Sequence, residues 1–320
     1  MRCLPSLVLL IAVTLFSGAL LLTGCGEEPA GVEETEDGAL ELGREAVQTT
    51  EQRTVAPLER TLELNGLRGT IILHAEDTNN ASWAFTKTAR GRDAEHAQRV
   101  LDRLTIEERG TEDRYTFALD SGTPAQSRVD IEGTLPESTP LVLRRSSGIV
   151  HVDGMHGALD VEQTHGSVRV RNGQGNVRIR VDNGMLDLDF ASLAPNARVD
   201  VTTKNGHVHI SIPHDASAQL DVETTSGRVF SHGLSYEERE LRVSEAGYHF
   251  EGRIGDGEAT IRARTEHGDI RLMQRTKSED DEAPSADTLR ESPPTMPDLV
   301  DPDDLINEPA DTLNQSSSDT

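Results

Sequence analysis

Aromatic residues are scarce in this chain of 320 residues: one Trp, three Tyr and six Phe, 3% of the sequence. A core built on large rings is excluded. Cysteine is nearly absent, with Cys3 and Cys25 alone, so a disulfide framework is excluded whatever the compartment. Basic residues are outnumbered, 31 Lys and Arg against 56 Asp and Glu, for a net charge of −25. A general electrostatic nucleic-acid binder needs clustered Lys and Arg against phosphates, and this balance excludes one. Long apolar runs are also rare, and a mean hydropathy of −0.49 excludes a multi-span membrane protein.

The one long apolar run is Leu7 to Leu22, broken only by Thr14, Ser17 and Gly18. It is short for a membrane span and suits the apolar region of a secretory signal, with Arg2 ahead of it. Leu22-Thr23-Gly24-Cys25 follows. This tetrapeptide resembles the bacterial lipobox. Small residues let a peptidase reach the bond before Cys25, whose thiol then accepts diacylglycerol. The reading predicts a signal over 1–24, acyl chains on Cys25 as the only covalent group, and no other cofactor. It also predicts anchoring in a bacterial envelope. Gly26, rather than Asp, points to the outer membrane over the inner.

Acid is concentrated outside the middle of the chain. Residues 26–53 hold nine acids and two Arg, and residues 277–320 hold thirteen acids and two basic residues with scattered Pro. Both compositions predict disorder: an acidic tether over 25–53 and an acidic tail over 277–320. With Arg2 in the signal, a net charge of −8 is left for a folded part at 54–276.

That part carries an internal repeat. A polar residue and a Gly precede alternating apolar residues at Gly148, Gly166, Gly184, Gly206, Gly227 and Gly268, at spacings of 18, 18, 22, 21 and 41. The last spacing reads as two units with an insertion at 236–257. A second alternating segment precedes each Gly from Gly166 onward: Leu159 and Val161, then Val177, Ile179 and Val181, Val199 and Val201, Leu220 and Val222, Ile261 and Ala263. Period-two alternation means half-buried strands, and Gly suits turns at positive φ. Units of 18–22 residues cannot bury their own faces, so they stack. The fold expected is an all-β, single-stranded parallel β-helix or β-solenoid. An aliphatic interior explains the missing aromatics. Residues 93–104 read as one short helix near an N-terminal cap, started by Asp93.

Taken together, residues 55–273 resemble the bacterial putative-adhesin domain family, a domain of unknown function. The match rests on Leu62-Glu63-Leu64-Asn65-Gly66, the helix, the repeated Ser/Asn/His-Gly turns and the segment Ile212 to Val222. The resemblance implies a solenoid, commonly right-handed, on exported or anchored proteins, and it transfers no catalytic residue.

Aligned on their Gly, the units place His151, Arg169, Asp187, His209, Phe230 and Arg271 in one outward column, about 4.8 Å apart. This reads as a solvated face with cross-strand charge pairs. The competing reading is a divalent-metal site on His207, His209 and Asp187, and so an envelope sensor. A carbohydrate-active β-helix enzyme would instead draw on Asp187 and Asp189, or on Asp160, Asp200 and Asp221. It would need acid/base groups in a groove, and no aromatic sugar platform is present. No P-loop, G-x-S-x-G or Cys-based metal motif occurs. The function expected is a non-enzymatic adhesion, interaction or scaffold module, tied to the membrane by its lipid and presenting a strand face to an envelope protein or glycan.

Overall fold

The computed structural model describes residues 32–34, 40–55, 60–66, 68–245 and 247–275. The chain divides into two units, 1–276 and 277–320, and every described residue lies in the first. The signal segment, the lipobox with Cys25 and the acidic tail therefore lie outside the described residues.

Two strands, β1 (Val32–Glu34) and β2 (Leu40–Leu42), form a small antiparallel pair. The cap follows: β3 (Glu45–Val55), β4 (Thr61–Gly66), β5 (Ile71–Glu76), β6 (Ala81–Gly91), α1 (Ala94–Leu101), β7 (Thr105–Gly110), β8 (Arg114–Asp120) and β9 (Ser127–Pro136). Next come the regular units: β10 (Leu141–Ser147) with β11 (Val150–Asp153), β12 (Leu159–His165) with β13 (Val168–Gly173), β14 (Val177–Asn183) with β15 (Leu186–Phe190), and β16 (Arg198–Asn205) with β17 (Val208–Ile212). The last described elements are β18 (Ala218–Ser226), β19 (Val229–His232), β20 (Glu238–Ser244), β21 (Gly247–Ile254), β22 (Ala259–His267) and β23 (Ile270–Gln274).

Each unit gives one strand to each of two sheets. An eleven-stranded sheet runs β20-β21-β18-β22-β16-β14-β12-β10-β4-β8-β7, and a ten-stranded sheet runs β19-β23-β17-β15-β13-β11-β5-β9-β6-β3. We call them the long and the short sheet. Inward residues such as Val161, Val170, Ile179, Leu188, Val201 and Ile210 are fully buried. They form one aliphatic core between the sheets, as the period-two pattern predicts. Aromatics gather toward the ends: Trp83, Phe85, Tyr115 and Phe117 pack together in the cap, and Tyr236 packs edge-on to Phe250 at the other end. Phe190 is a buried exception in the middle.

The stacking order departs from chain order at both ends. The first unit, β4–β5, lies between β8–β9 and β10–β11. The last unit, β22–β23, lies between β16–β17 and β18–β19. The spacing of 41 is thus one unit slipped back into the stack. The expected insertion at 236–257 holds the β20–β21 hairpin, which extends the long sheet beyond β18 in antiparallel fashion.

Three further expectations need correction. The tether does not extend to residue 53, because Glu45–Val55 is a strand paired with all of β6. Its half-buried positions are Val47, Thr49, Glu51 and Arg53, and Glu51 pairs with Arg53 and Lys87. Acid used in cross-strand pairs looks in composition like acid in a linker. The helix ends at Leu101 rather than Leu104. Asp93 caps it by accepting the His96 N–H at 2.7 Å, and Val100 and Leu101 form a small second core with Ala89.

The third correction concerns the six repeat glycines. Positive φ occurs at Gly148 and Gly166, at 129° and 111°, but not at Gly184 or Gly227. What the positions share is contact between backbones. A Cβ on Gly184 would sit 1.6 Å from the Gly166 carbonyl oxygen, and one on Gly227 would sit 2.0 Å from that of Gly268. The glycines stack with their N–H groups feeding a ladder: Gly166 N–H donates to the Asn183 carbonyl at 2.9 Å and Gly184 N–H to that of Asn205 at 2.8 Å. Inward polar residues close the rest. Gln163 donates to the Gly148 carbonyl, Thr265 to that of Gly206 and Thr224 to that of Gly268. These buried acceptors would otherwise cost about 1–3 kcal/mol each.

Candidate functional site

The outward column expected from the Gly alignment exists on the short sheet. Its register is His151, Arg169, Asp187, His209, Arg271, Phe230, with the last two exchanged by the slipped unit. Asp187 is its hub: its carboxylate lies 3.2 Å from Arg169 Nε, 3.3 Å from Arg171 and 3.3 Å from His209 Nδ1. Arg271 lies over the Phe230 ring at 5.7 Å. Burial, then the charge of Arg169, holds the His151 imidazole below its ordinary pKa.

The metal candidates separate. His209 meets Asp187, and its Nε2 lies 3.1 Å from Met273 Sδ. His207 turns to the neighbouring unit, where its Nδ1 accepts the Asp269 N–H at 3.0 Å. Among the described residues no three His, Cys, Asp or Glu side chains converge as metal ligands.

Asp189, beside Asp187 on the same strand, is buried. It lies 3.2 Å from Arg275 Nε and 3.8 Å from Arg171. The Oδ1 facing Arg275 accepts no hydrogen bond, so this is an ion pair off the N–H axis. Burial outweighs both cations and raises its pKa. Arg275 also donates to Asn172, and Asn172 to Asp153 at 2.9 Å. This network fastens the residue after β23 to the solenoid.

The outer face of the long sheet is organised differently. An open furrow of about 740 Å³ crosses it from Arg114 to Arg262, and a second of 540 Å³ continues it toward Arg239 and Arg253. Its outermost row carries Thr61, Pro140, Ala158, Asn176, Arg198 and Thr260, mostly small side chains that leave it open. The next row, in stacking order, is Asp160, Arg178, Asp200, Arg262, Asp221. Charge alternates at every step.

Three of these five groups have internal partners, Asp221 meeting His249 and Arg264 as well as Arg262. Asp160 accepts two hydrogen bonds from Arg144, at 3.1 and 3.0 Å. Arg262 is 3.6 Å from Asp221. Among the described residues, the side chains of Arg178, Arg198 and Asp200 make no hydrogen bond or ion pair with protein. Both arginines are exposed and Asp200 is half-buried. The furrow thus offers guanidinium forks and a carboxylate about 4.8 Å apart per strand.

Asp160, Asp200 and Asp221 were legible as a recurring second-strand acid. The arginines between them were not singled out. The missing signal was the residue after the first apolar position of each second strand, where Arg178 and Arg262 align with those acids.

Two sheets wound from repeated strand pairs, with ends locked by slipped units, define a two-sheet β-solenoid. Residues 125–273 match the family model described as Toastrack DUF4097. That model describes a domain of unknown function. No curated protein matches the chain. Among solved structures, a putative cell adhesion protein from Clostridium sporogenes is similar at 14% identity and a TM-score of 0.42, over 72% of this chain and 100% of its own. A putative adhesin from Bacteroides fragilis is similar at 10% identity and a TM-score of 0.32, over 70% of this chain and 97% of its own.

Proposed function

We propose that this chain is a non-enzymatic envelope module that holds an acidic polysaccharide along the furrow of the long sheet. The observation that carries the reading is the set of unpartnered side chains Arg178, Arg198 and Asp200 in an extended furrow. Charged groups without protein partners are free to serve a ligand. A guanidinium matches a carboxylate with two parallel hydrogen bonds, and Asp200 accepts from sugar hydroxyls. The furrow runs across strands at a constant step, which suits a repeating polymer. The absence of aromatic rings along it favours polar recognition over ring stacking.

Catalysis is not part of the reading. Asp160 is held as a double acceptor by Arg144, so both of its carboxylate oxygens are already engaged. The Cys25 lipid would tether the domain at the bacterial envelope, at the outer membrane on the Gly26 argument.

The test is retention of the full chain on immobilised polygalacturonate, with neutral dextran as the control. Salt-sensitive retention without release of reducing ends or unsaturated sugars is expected. Equal retention on both polymers, or turnover, overturns the reading. For the anchor, Cys25→Ala should abolish acyl labelling, and persistent labelling would refute it.

A further inference from the structure

We infer that a second copy of this chain pairs with the free edge of β20, antiparallel, about a two-fold axis at Leu241. Among the described residues the strand is the last of the long sheet, and all seven of its residues are exposed. The short sheet ends at β19, level with β18, while β21 and β20 run on two strands further. Leu241 and Val243 are 54% and 60% exposed. They stand in register with Phe250 and Tyr248 of β21, and Phe250 with core residue Val222 of β18. The core-facing row therefore continues past the last strand that has a sheet above it.

Backbone parity fixes which groups are free. Glu237 N–H donates to the Arg253 carbonyl at 2.9 Å, beside the pair Glu238 and Arg253. Ser244 faces Gly247 across two residues, the closing pair of a tight hairpin. Even-numbered residues thus bond to β21, and Arg239, Leu241 and Val243 turn their N–H and C=O outward.

Charge then selects the register. Centred on Leu241, the antiparallel pairing sets Glu240 opposite Arg242 of the second copy, and Arg242 opposite its Glu240. Leu241 meets its own copy, Val243 meets Arg239, and Ser244 meets Glu238. Centring on Arg239, Glu240 or Arg242 places like charges at the axis. Centring on Val243 pairs no opposite charges. Edge strands are commonly protected by charge against such pairing. Here the charges are complementary to their own two-fold image. The pairing would join two long sheets into one face and align two furrows. It does not depend on what the furrow binds.

Sedimentation equilibrium of the full chain in density-matched detergent tests it. Twice the monomer mass is expected at micromolar concentration. Arg242→Glu creates two Glu–Glu contacts and should weaken the dimer about tenfold or more. The double change Glu240→Arg with Arg242→Glu restores opposite charges and should return it to within about threefold of the parent. Both changes are on a fully exposed strand, and circular dichroism confirms that each variant is folded. A monomer at every concentration, or a dimer indifferent to Arg242→Glu, overturns the inference.

Discussion

The two outer faces of the solenoid carry similar charged residues and use them in opposite ways. On the short sheet, Asp187 gathers Arg169, Arg171 and His209, and Asp189 gathers Arg171 and Arg275. On the long sheet, Arg178, Arg198 and Asp200 stand in a furrow without protein partners. Side chains two apart on a strand, with opposite charge on the next strand, close into networks. The furrow charges other than Arg198 lie in a single row, and outer neighbours such as Ala158 and Pro140 cannot join them. One face has its charge neutralised internally, and the other leaves Arg178, Arg198 and Asp200 without partners among the described residues.

Four sets of substitutions separate the two faces. Both faces hang on the stacked glycines, so Gly184→Ala should have the largest effect. Its Cβ would overlap the Gly166 carbonyl, forcing backbone shifts that cost about 3 kcal/mol. The urea midpoint should fall and furrow binding should fail with it. An unchanged midpoint would show that the column yields easily.

Next is the furrow itself. Arg178→Glu with Arg198→Glu should weaken polygalacturonate binding about tenfold or more, while unfolding free energy stays within about 0.5 kcal/mol. A stability loss without a binding loss would assign those arginines to the fold. The opposite behaviour is expected from Asp187→Ala on the short sheet. It removes the carboxylate from two arginines and a histidine, and a loss of about 1 kcal/mol is expected in chemical denaturation. Polymer binding should not change.

The smallest effect is a pH dependence. Burial raises the Asp189 pKa in the fold, so the native chain binds that proton more tightly than the unfolded chain. Stability from this group therefore grows as pH falls through the raised value, and levels off below the ordinary carboxylate range. The parent chain should gain on Asp189→Asn as pH drops from neutral to about 4. Parallel stability curves for the two proteins would show that the ion pairs cancel the cost of burial.

Much of the architecture was legible because solenoids write their geometry locally. Alternation at Leu159 and Val161, or at Val168 and Val170, names the buried face from two or three residues. The glycine column was legible as positions, although its cause at Gly184 is backbone contact between units. The strand at Glu45–Val55 was hidden because three of its four half-buried residues are polar, and only the partner β6 reveals them as paired. The furrow was half visible: Asp160, Asp200 and Asp221 recur by position, but their meaning depends on which strand lies beside each.

The repeat, the thin aliphatic core, the turn glycines, the short capped helix and the concentration of acid toward the two ends of the chain are written in the amino-acid order alone. These follow from spacing and composition. Stacking order was decided only in the tertiary structure. In chain order, Asp200 would neighbour Asp221, and Thr202 would neighbour Glu223. Slipping β22 between β16 and β18 sets Arg262 between the two aspartates and Arg264 beside Glu223. Apolar faces of Val, Ile and Leu fit any neighbour in the stack and cannot specify order. Long-range charge pairing and the length of the β20–β21 hairpin can, because they differ from one arrangement to another while the core remains the same.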